Sequence, residues 1–240
     1  MKRIPEEVIE AYEKSDSYQA LLGQRKEVYD QLIKYHQKYH TMEEYFKKET
    51  EKKADHESYA KGGEILHRGI MCPGNMEALI VDNVTRGRAI KAKEKASYIY
   101  RYDKNNQLIS CIKVGEAPYV PNLPEYIFWE GNRIQIGLTY GQFGDLRFIA
   151  EAKYNEEGRL IRYTISDFSN EKPFGITSEK YEYRDKEIYV TYIYSIEPYL
   201  NGEHVVLYTD DKGKVLRYTR CTDMNPNEVY EEVPKYKLVI

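Results

Sequence analysis

The feature that most constrains this chain is a β-hairpin pattern that it repeats. Tyr98, Tyr100 and Tyr102 alternate with Ile99 and Arg101, which puts three rings on one face of a strand. Asp103-Lys104-Asn105-Asn106 then supplies a turn, and Leu108-Ile109 begins a return. The same order recurs around Gly131-Asn132, Asn155-Glu156-Glu157-Gly158, Arg184-Asp185-Lys186 and Asp210-Asp211-Lys212-Gly213. The aromatic closing each first strand is Tyr102, Trp129, Tyr154, Tyr183 or Tyr208, at spacings of 27, 25, 29 and 25. A period that steady marks an internal repeat, and polar turns between aromatic and β-branched runs are what antiparallel hairpins require. Five hairpins predict roughly ten strands, in an open curved sheet or a partial barrel. Pro118, Pro121 and Pro124 are expected to set the first unit apart, because proline cannot continue a ladder.

One sheet leaves a face to be covered, and the N-terminal quarter reads as helix. Pro5-Glu6-Glu7 is a helix start, and Ser15-Asp16-Ser17 offers a break with a new N-cap. Leu21, Val28, Leu32, Tyr35, Tyr39, Met42 and Phe46 follow at steps of seven, then four and three alternating, interrupted by Arg25. That is one stripe along a helix. Thr41-Met42-Glu43-Glu44 reads as a capping box, which favours two helices meeting near His40 over a single one. The stripe either packs on its own domain or forms a coiled-coil dimer, so a homo-oligomer through it stays open. Residues 47–61 are nearly all charged or small and read as a solvated helix end or a linker.

Gly62-Gly63 ends the helical pattern, and Met71-Cys72-Pro73-Gly74-Asn75 carries turn chemistry. Residues 78–81 suit a short buried strand or a helical turn after an Asn75 cap. The basic run Arg86, Arg88, Lys91, Lys93 and Lys95 lacks interleaved aromatics, so a solvated face is preferred to a phosphate-binding one. The expected organisation is an α+β chain: a helical region over 1–60, an irregular connector over 61–97, and an antiparallel hairpin-repeat domain over 98–240.

Composition narrows the setting. Charged residues make up 31% and apolar residues 41% of 240, the mixture of a folded protein rather than a disordered one. A net charge of -3 does not steer the molecule toward nucleic acid or an anionic membrane. No apolar run approaches the roughly 20 residues of a membrane span, and the N-terminus lacks a signal peptide's apolar stretch, so the cytoplasm is the expected compartment. Cys72, Cys111 and Cys221, odd in number and far apart, suit reduced thiols. Tyrosine is the outlier, with 25 against 6 Phe and 1 Trp.

The string Tyr-Arg-Tyr-Asp-Lys-Asn-Asn-Gln-Leu-Ile at 100–109 resembles the tyrosine–aspartate repeat of bacterial RHS/YD proteins. Residues 154–160 and 208–216 are looser copies, the units at Trp129 and Tyr183 depart from the pattern, and only Tyr102-Asp103 supplies the dipeptide. The resemblance implies an extended β-structure that serves as a shell or binding surface rather than a catalytic centre. It further implies the role of an immunity partner of a secreted toxin.

Motifs that carry chemistry are few in this chain. His36 and His40 lie one helical turn apart, as a shared metal requires, but Gln37-Lys38-Tyr39 between them lacks the glutamate of a metalloprotease motif. Cys72, near His67, has no evident activating arrangement. No phosphate-cradling loop or nucleophile elbow is present, and Asp210-Asp211 and Glu231-Glu232 fall in turn-like or terminal stretches. The sequence therefore predicts no catalytic residue, no metal and no cofactor. It favours a cytoplasmic protein-binding module, engaging a protein partner such as a toxin, with no nucleic acid and no membrane. The candidate contacts are Tyr98, Tyr100, Tyr102, Tyr192 and Tyr194, because tyrosine gives contact area at little entropic cost. The competing reading makes those rings the joint between sheet and helices. Two further alternatives are an enzyme with its site on the concave side of the sheet, substrate unknown, and a self-assembling protein using the helix stripe.

Overall fold

The computed structural model describes residues 6–62, 76, 87–115, 122–196 and 199–232. The readings made for Pro5, His67, residues 71–75 with Cys72, residues 78–81, Arg86, Pro118 and Pro121 lie outside the described residues.

Three helices, α1 (Glu6–Glu13), α2 (Asp16–Tyr39) and α3 (Glu43–Lys53), precede the strands. Ser15 caps α2, its side chain accepting from the Tyr18 amide, so the break at Ser15 is where the sequence puts it. The two-helix reading also holds, but the capping box does not form. Met42 takes the N-cap position of α3 without a side-chain hydrogen bond.

The strands then run β1 (His56–Lys61), β2 (Arg88–Ile90), β3 (Tyr98–Tyr102), β4 (Leu108–Lys113), β5 (Leu123–Glu130), β6 (Ile134–Tyr140) and β7 (Leu146–Tyr154). They continue as β8 (Leu160–Ser169), β9 (Lys172–Arg184), β10 (Glu187–Ile196), β11 (Tyr199–Thr209), β12 (Val215–Thr222) and β13 (Asn225–Glu232). All lie in one antiparallel sheet ordered β13 to β3 in sequence, then β1, then β2. The two ends do not meet, so the sheet is open, and the chain is α+β.

Turns fall at all five expected places, and three share one device. Asp103, Asn155 and Asp210 each accept two amides on Oδ1, from the residues two and four further on, at 2.9–3.0 Å. The fourth residue of each turn, Asn106, Gly158 or Gly213, has a positive φ. A register shift beside Tyr102, Tyr154 and Tyr208 absorbs the extra residue. This is a type I turn closed by a left-handed residue and a bulge.

Two local readings need correction. Pro124 does not separate the first unit: it sits near the start of β5 opposite Ile112, and β4 pairs β5 directly. The stretch 47–61 is neither all helix nor linker. α3 ends at Lys53, and His56–Lys61 is a strand held between β3 and β2.

The helices cover one face. Val28, Leu32, Tyr35, Tyr39 and Phe46 pack against Ile136, Leu138, Ile149 and Ile176, and Leu21 lies over Gly202, where an added Cβ would come within 2.5 Å of Leu21 Cδ1. Each such buried side chain is worth about 1.5–3 kcal/mol, so a dimer through the stripe would forfeit that packing. Inside this layer Tyr35 Oη donates to Glu151 Oε2 at 2.5 Å, and Arg162 bridges Glu151 and Glu27.

The opposite face has its own core. Register places Tyr163, Glu179, Tyr192 and Glu203 in one row across β8 to β11, and Tyr163, Tyr181, Val205, Leu207 and Tyr218 pack there with Met76. Glu125 also lies on this face, over Gly137, a position where no side chain competes for the space.

Candidate binding cleft

The strands β4 and β5 part early. Their ladder runs from Lys113–Leu123 to Ser110–Tyr126 and stops there. β5 continues through Ile127, Phe128, Trp129 and Glu130, paired on its β6 side alone among the described residues. α3 lies beside this gap. The result is a cleft of about 390 Å³ lined by Tyr45, Phe46, Glu49, Thr50 and Lys53 of α3, by Asp103, Gln107, Leu108 and Ile109, and by Tyr126 to Trp129 of β5. That volume lies within the range of ligand sites.

Its walls are aromatic and prearranged. Phe46 stacks on Phe128 at 4.8 Å and on Tyr126 at 6.3 Å, Tyr45 meets Phe46 edge-on at 5.3 Å, and Trp129 leans on Tyr154 at 5.5 Å. Tyr45 and Trp129 remain 53% and 38% exposed, so large apolar area faces water at a concave place. Burial, and then the carboxylates of Glu43, Glu44 and Glu51, push the Tyr126 hydroxyl up to about 12. Glu49 and Lys53 neutralise each other at 3.0 Å. Asp103 accepts amides on Oδ1 but has no ion pair among the described residues.

The five tyrosines singled out from the sequence do not assemble into one exposed patch. Tyr98, Tyr100 and Tyr102 share a face as the alternation requires, and Tyr192 and Tyr194 lie on that same face, away from the helices. Tyr100 is 0% exposed and Tyr192 8%, so these two are core. Tyr98 and Tyr102 are half-buried, Tyr102 stacking on His56 at 5.0 Å. Tyr194 alone is exposed. Neither ring is buried by the helices, as the competing reading had it: Tyr192 lies in the second core, and Tyr100 in a smaller cluster with Ala60, Cys111 and Ile127.

His36 and His40 are stacked at 5.4 Å, and His36 also stacks on Phe168 at 4.8 Å. Burial, then the neighbouring His40, lowers the His36 pKa. His40 Nδ1 lies near the backbone carbonyls of His36 and Gln37. The pair is packing, and no group of three metal-ligating side chains occurs among the described residues.

A cluster the sequence reading missed joins α1 to β11 and β12. Cys221 and His204 face each other across the strands, His204 Nε2 is 2.8 Å from Asp223 Oδ1, and Tyr12 Oη donates to Asp223 Oδ2 at 3.0 Å. Burial raises the Asp223 carboxyl, but hydrogen bonds with Ser17, His204 and Tyr12 outweigh it and leave the pKa low. Burial, then Asp223 and Glu203, raise the Cys221 thiol, which keeps it protonated and unsuited as a nucleophile. The residues are 211 positions apart at the widest, so no local spacing announces them.

Among the described residues no helix is long and apolar enough to cross a membrane. No family model matches the sequence, and neither the curated proteins nor the solved structures provide a match.

Proposed function

We propose that this chain is a cytoplasmic protein-binding module that engages its partner through the cleft between α3, β4 and β5. The observation that carries the reading is the aromatic-walled opening at the point where the β4–β5 ladder stops. Aromatic side chains around a concave, partly desolvated site are what binding hot spots are made of. The sheet's Tyr-rich face is set aside as the primary surface because Tyr100 and Tyr192 are core. The RHS/YD resemblance extends the proposal to an immunity role, in which the bound partner is a toxin held inactive. Asp103 and Gln107, at the two ends of the turn that carries the resemblance, line the cleft.

Capture from the native host tests the reading. Wild-type bait retains a defined partner, and a Tyr45→Ala, Trp129→Ala double variant, folded by circular dichroism, loses it, whereas Tyr194→Ala retains it. Equal capture by the cleft variant contradicts the proposal.

The enzyme alternative has one observation in its favour. Glu125, Glu179 and Glu203 are buried carboxyls on the face away from the helices, and burial raises Glu203 although Arg220 opposes it. Glu179 accepts the Met76 amide at 2.8 Å and the Tyr181 hydroxyl. That is the environment of a structural carboxylate as much as of a general acid. The open aromatic cleft is therefore the better-supported site.

A further inference from the structure

Among the described residues, the strand edges of this sheet at β13, β2 and β5 are not alike. On β13 seven of eight side chains are exposed, and the edge carries Glu228, Glu231 and Glu232. β2 is three residues long and begins with Arg88. Short or charged edges resist pairing with another chain. The free side of β5 has neither protection: among the described residues it pairs no strand beyond Tyr126, and the apolar Phe128 and Trp129 follow the buried Ile127 there. Left bare, such an edge is a template for a further strand.

We propose that the cleft takes an extended peptide segment of the partner, added as a strand to the free side of β5 from Ile127 to Glu130, with a basic side chain set against Asp103. This rests on the protein-binding reading above and specifies what is bound. Alternate residues of β5 direct their N–H and C=O groups into the gap. An occupant without matching backbone groups would leave those groups desolvated and unpaired, at a cost for each. An extended peptide supplies donors and acceptors at the right repeat, and strand addition is an established mode of peptide capture. Four residues of β5 span about 13 Å at the usual rise per residue, so the segment that pairs is short. Its side chains alternate between the Phe46–Phe128 wall and the Trp129 side. Charge selects among such segments. Glu49 and Lys53 cancel, which leaves Asp103 as the unbalanced charge of the lining, so a Lys or Arg at the segment's end is favoured and an acid is not. A second copy of this chain pairing through the same edge would bring its own Asp103 to the junction, acid against acid, with its Glu130 already held by Lys38.

A phage-displayed library of random peptides, selected on the full chain, supplies the probe. The sole tryptophan, Trp129, lines the cleft, so its emission reports occupancy when a synthetic copy of the selected peptide is titrated in. Selected peptides are expected to carry apolar residues at alternate positions with a flanking Lys or Arg. N-methylation of alternate amides in one register is expected to weaken binding by about tenfold or more, as each lost backbone hydrogen bond removes about 1 kcal/mol, and to have little effect in the other register. Asp103→Asn is expected to weaken the basic peptide up to about fivefold, the scale of one exposed ion pair. The turn itself survives, because Asn155 makes the same two amide bonds in its own turn. Peptides that move Trp129 emission but are indifferent to N-methylation, or are acidic, overturn strand addition while the protein-binding reading stands. No enrichment, or binding that leaves Trp129 emission unmoved, overturns both. A concentration-dependent dimer that competes with the peptide overturns the choice of occupant.

Discussion

Replacing Gly202 by Ala tests how α2 is seated on the sheet. Gly202 lies in β11 with no unusual φ, so alanine there costs nothing in backbone strain and by propensity would be mildly favourable. What opposes it is Leu21, whose Cδ1, Cδ2 and Cγ would lie 2.5, 3.0 and 3.3 Å from the new Cβ. Leu21 is 2% exposed and has little room to turn away, so α2 must lift or the strand must shift. Overpacking of this kind costs about 1–3 kcal/mol. At about 2–4 °C per kcal/mol for a chain of this size, the melting temperature should fall by about 2–12 °C. Leu21→Ala alone should cost about 2–5 kcal/mol through the cavity it leaves. In the double variant the new methyl group enters that cavity, so the combined loss should be smaller than the two single losses added by about 1 kcal/mol or more. Urea denaturation of the four proteins measures this. A neutral Gly202→Ala, or additivity within about 0.5 kcal/mol, would refute the seating of Leu21 on Gly202.

Three further outcomes are expected. Tyr35→Phe should destabilise by about 1.5–3 kcal/mol in urea unfolding, because the buried Glu151 carboxylate loses a charge-assisted hydrogen bond. His36 has a lowered pKa in the fold, so the unfolded chain binds its proton more readily. Stability from this group is complete above about pH 6.5 and falls as the pH drops below it toward the folded value; His36→Phe should flatten that part of a Tm-against-pH curve. Asp210→Ala should cost about 1–2 kcal/mol by removing the one oxygen that accepts two amides, while Asp210→Asn should cost little, since Asn155 Oδ1 accepts the same two amides in its own turn.

The legible parts of this fold were those written locally. The period of Tyr102, Trp129, Tyr154, Tyr183 and Tyr208 announced the hairpins because turn chemistry and strand alternation are properties of neighbours in sequence. The stripe from Leu21 to Phe46 announced a covered face for the same reason. The return turn at Asn170-Glu171 was less visible because both residues adopt positive φ without a glycine to signal it. β1 was hidden by composition: His56–Lys61 has no apolar run, and it becomes a strand by pairing on both sides with residues at least 27 positions away. Alternation showed which tyrosines share a face but could not show that Tyr100 and Tyr192 are covered. The cleft was not legible at all, since it depends on where the β4–β5 ladder stops, and that is decided by the whole sheet.

The most direct test of the cleft as the binding site is hydrogen exchange of the full chain, free and saturated with its selected peptide. Slowed exchange is expected at the β5 amides between Ile127 and Glu130 and at Leu108 and Ile109, with β13 and the strand ends near Tyr194 and Tyr199 unchanged. Protection centred on those strand ends or on β13, with the β5 amides exchanging as in the free protein, would contradict it.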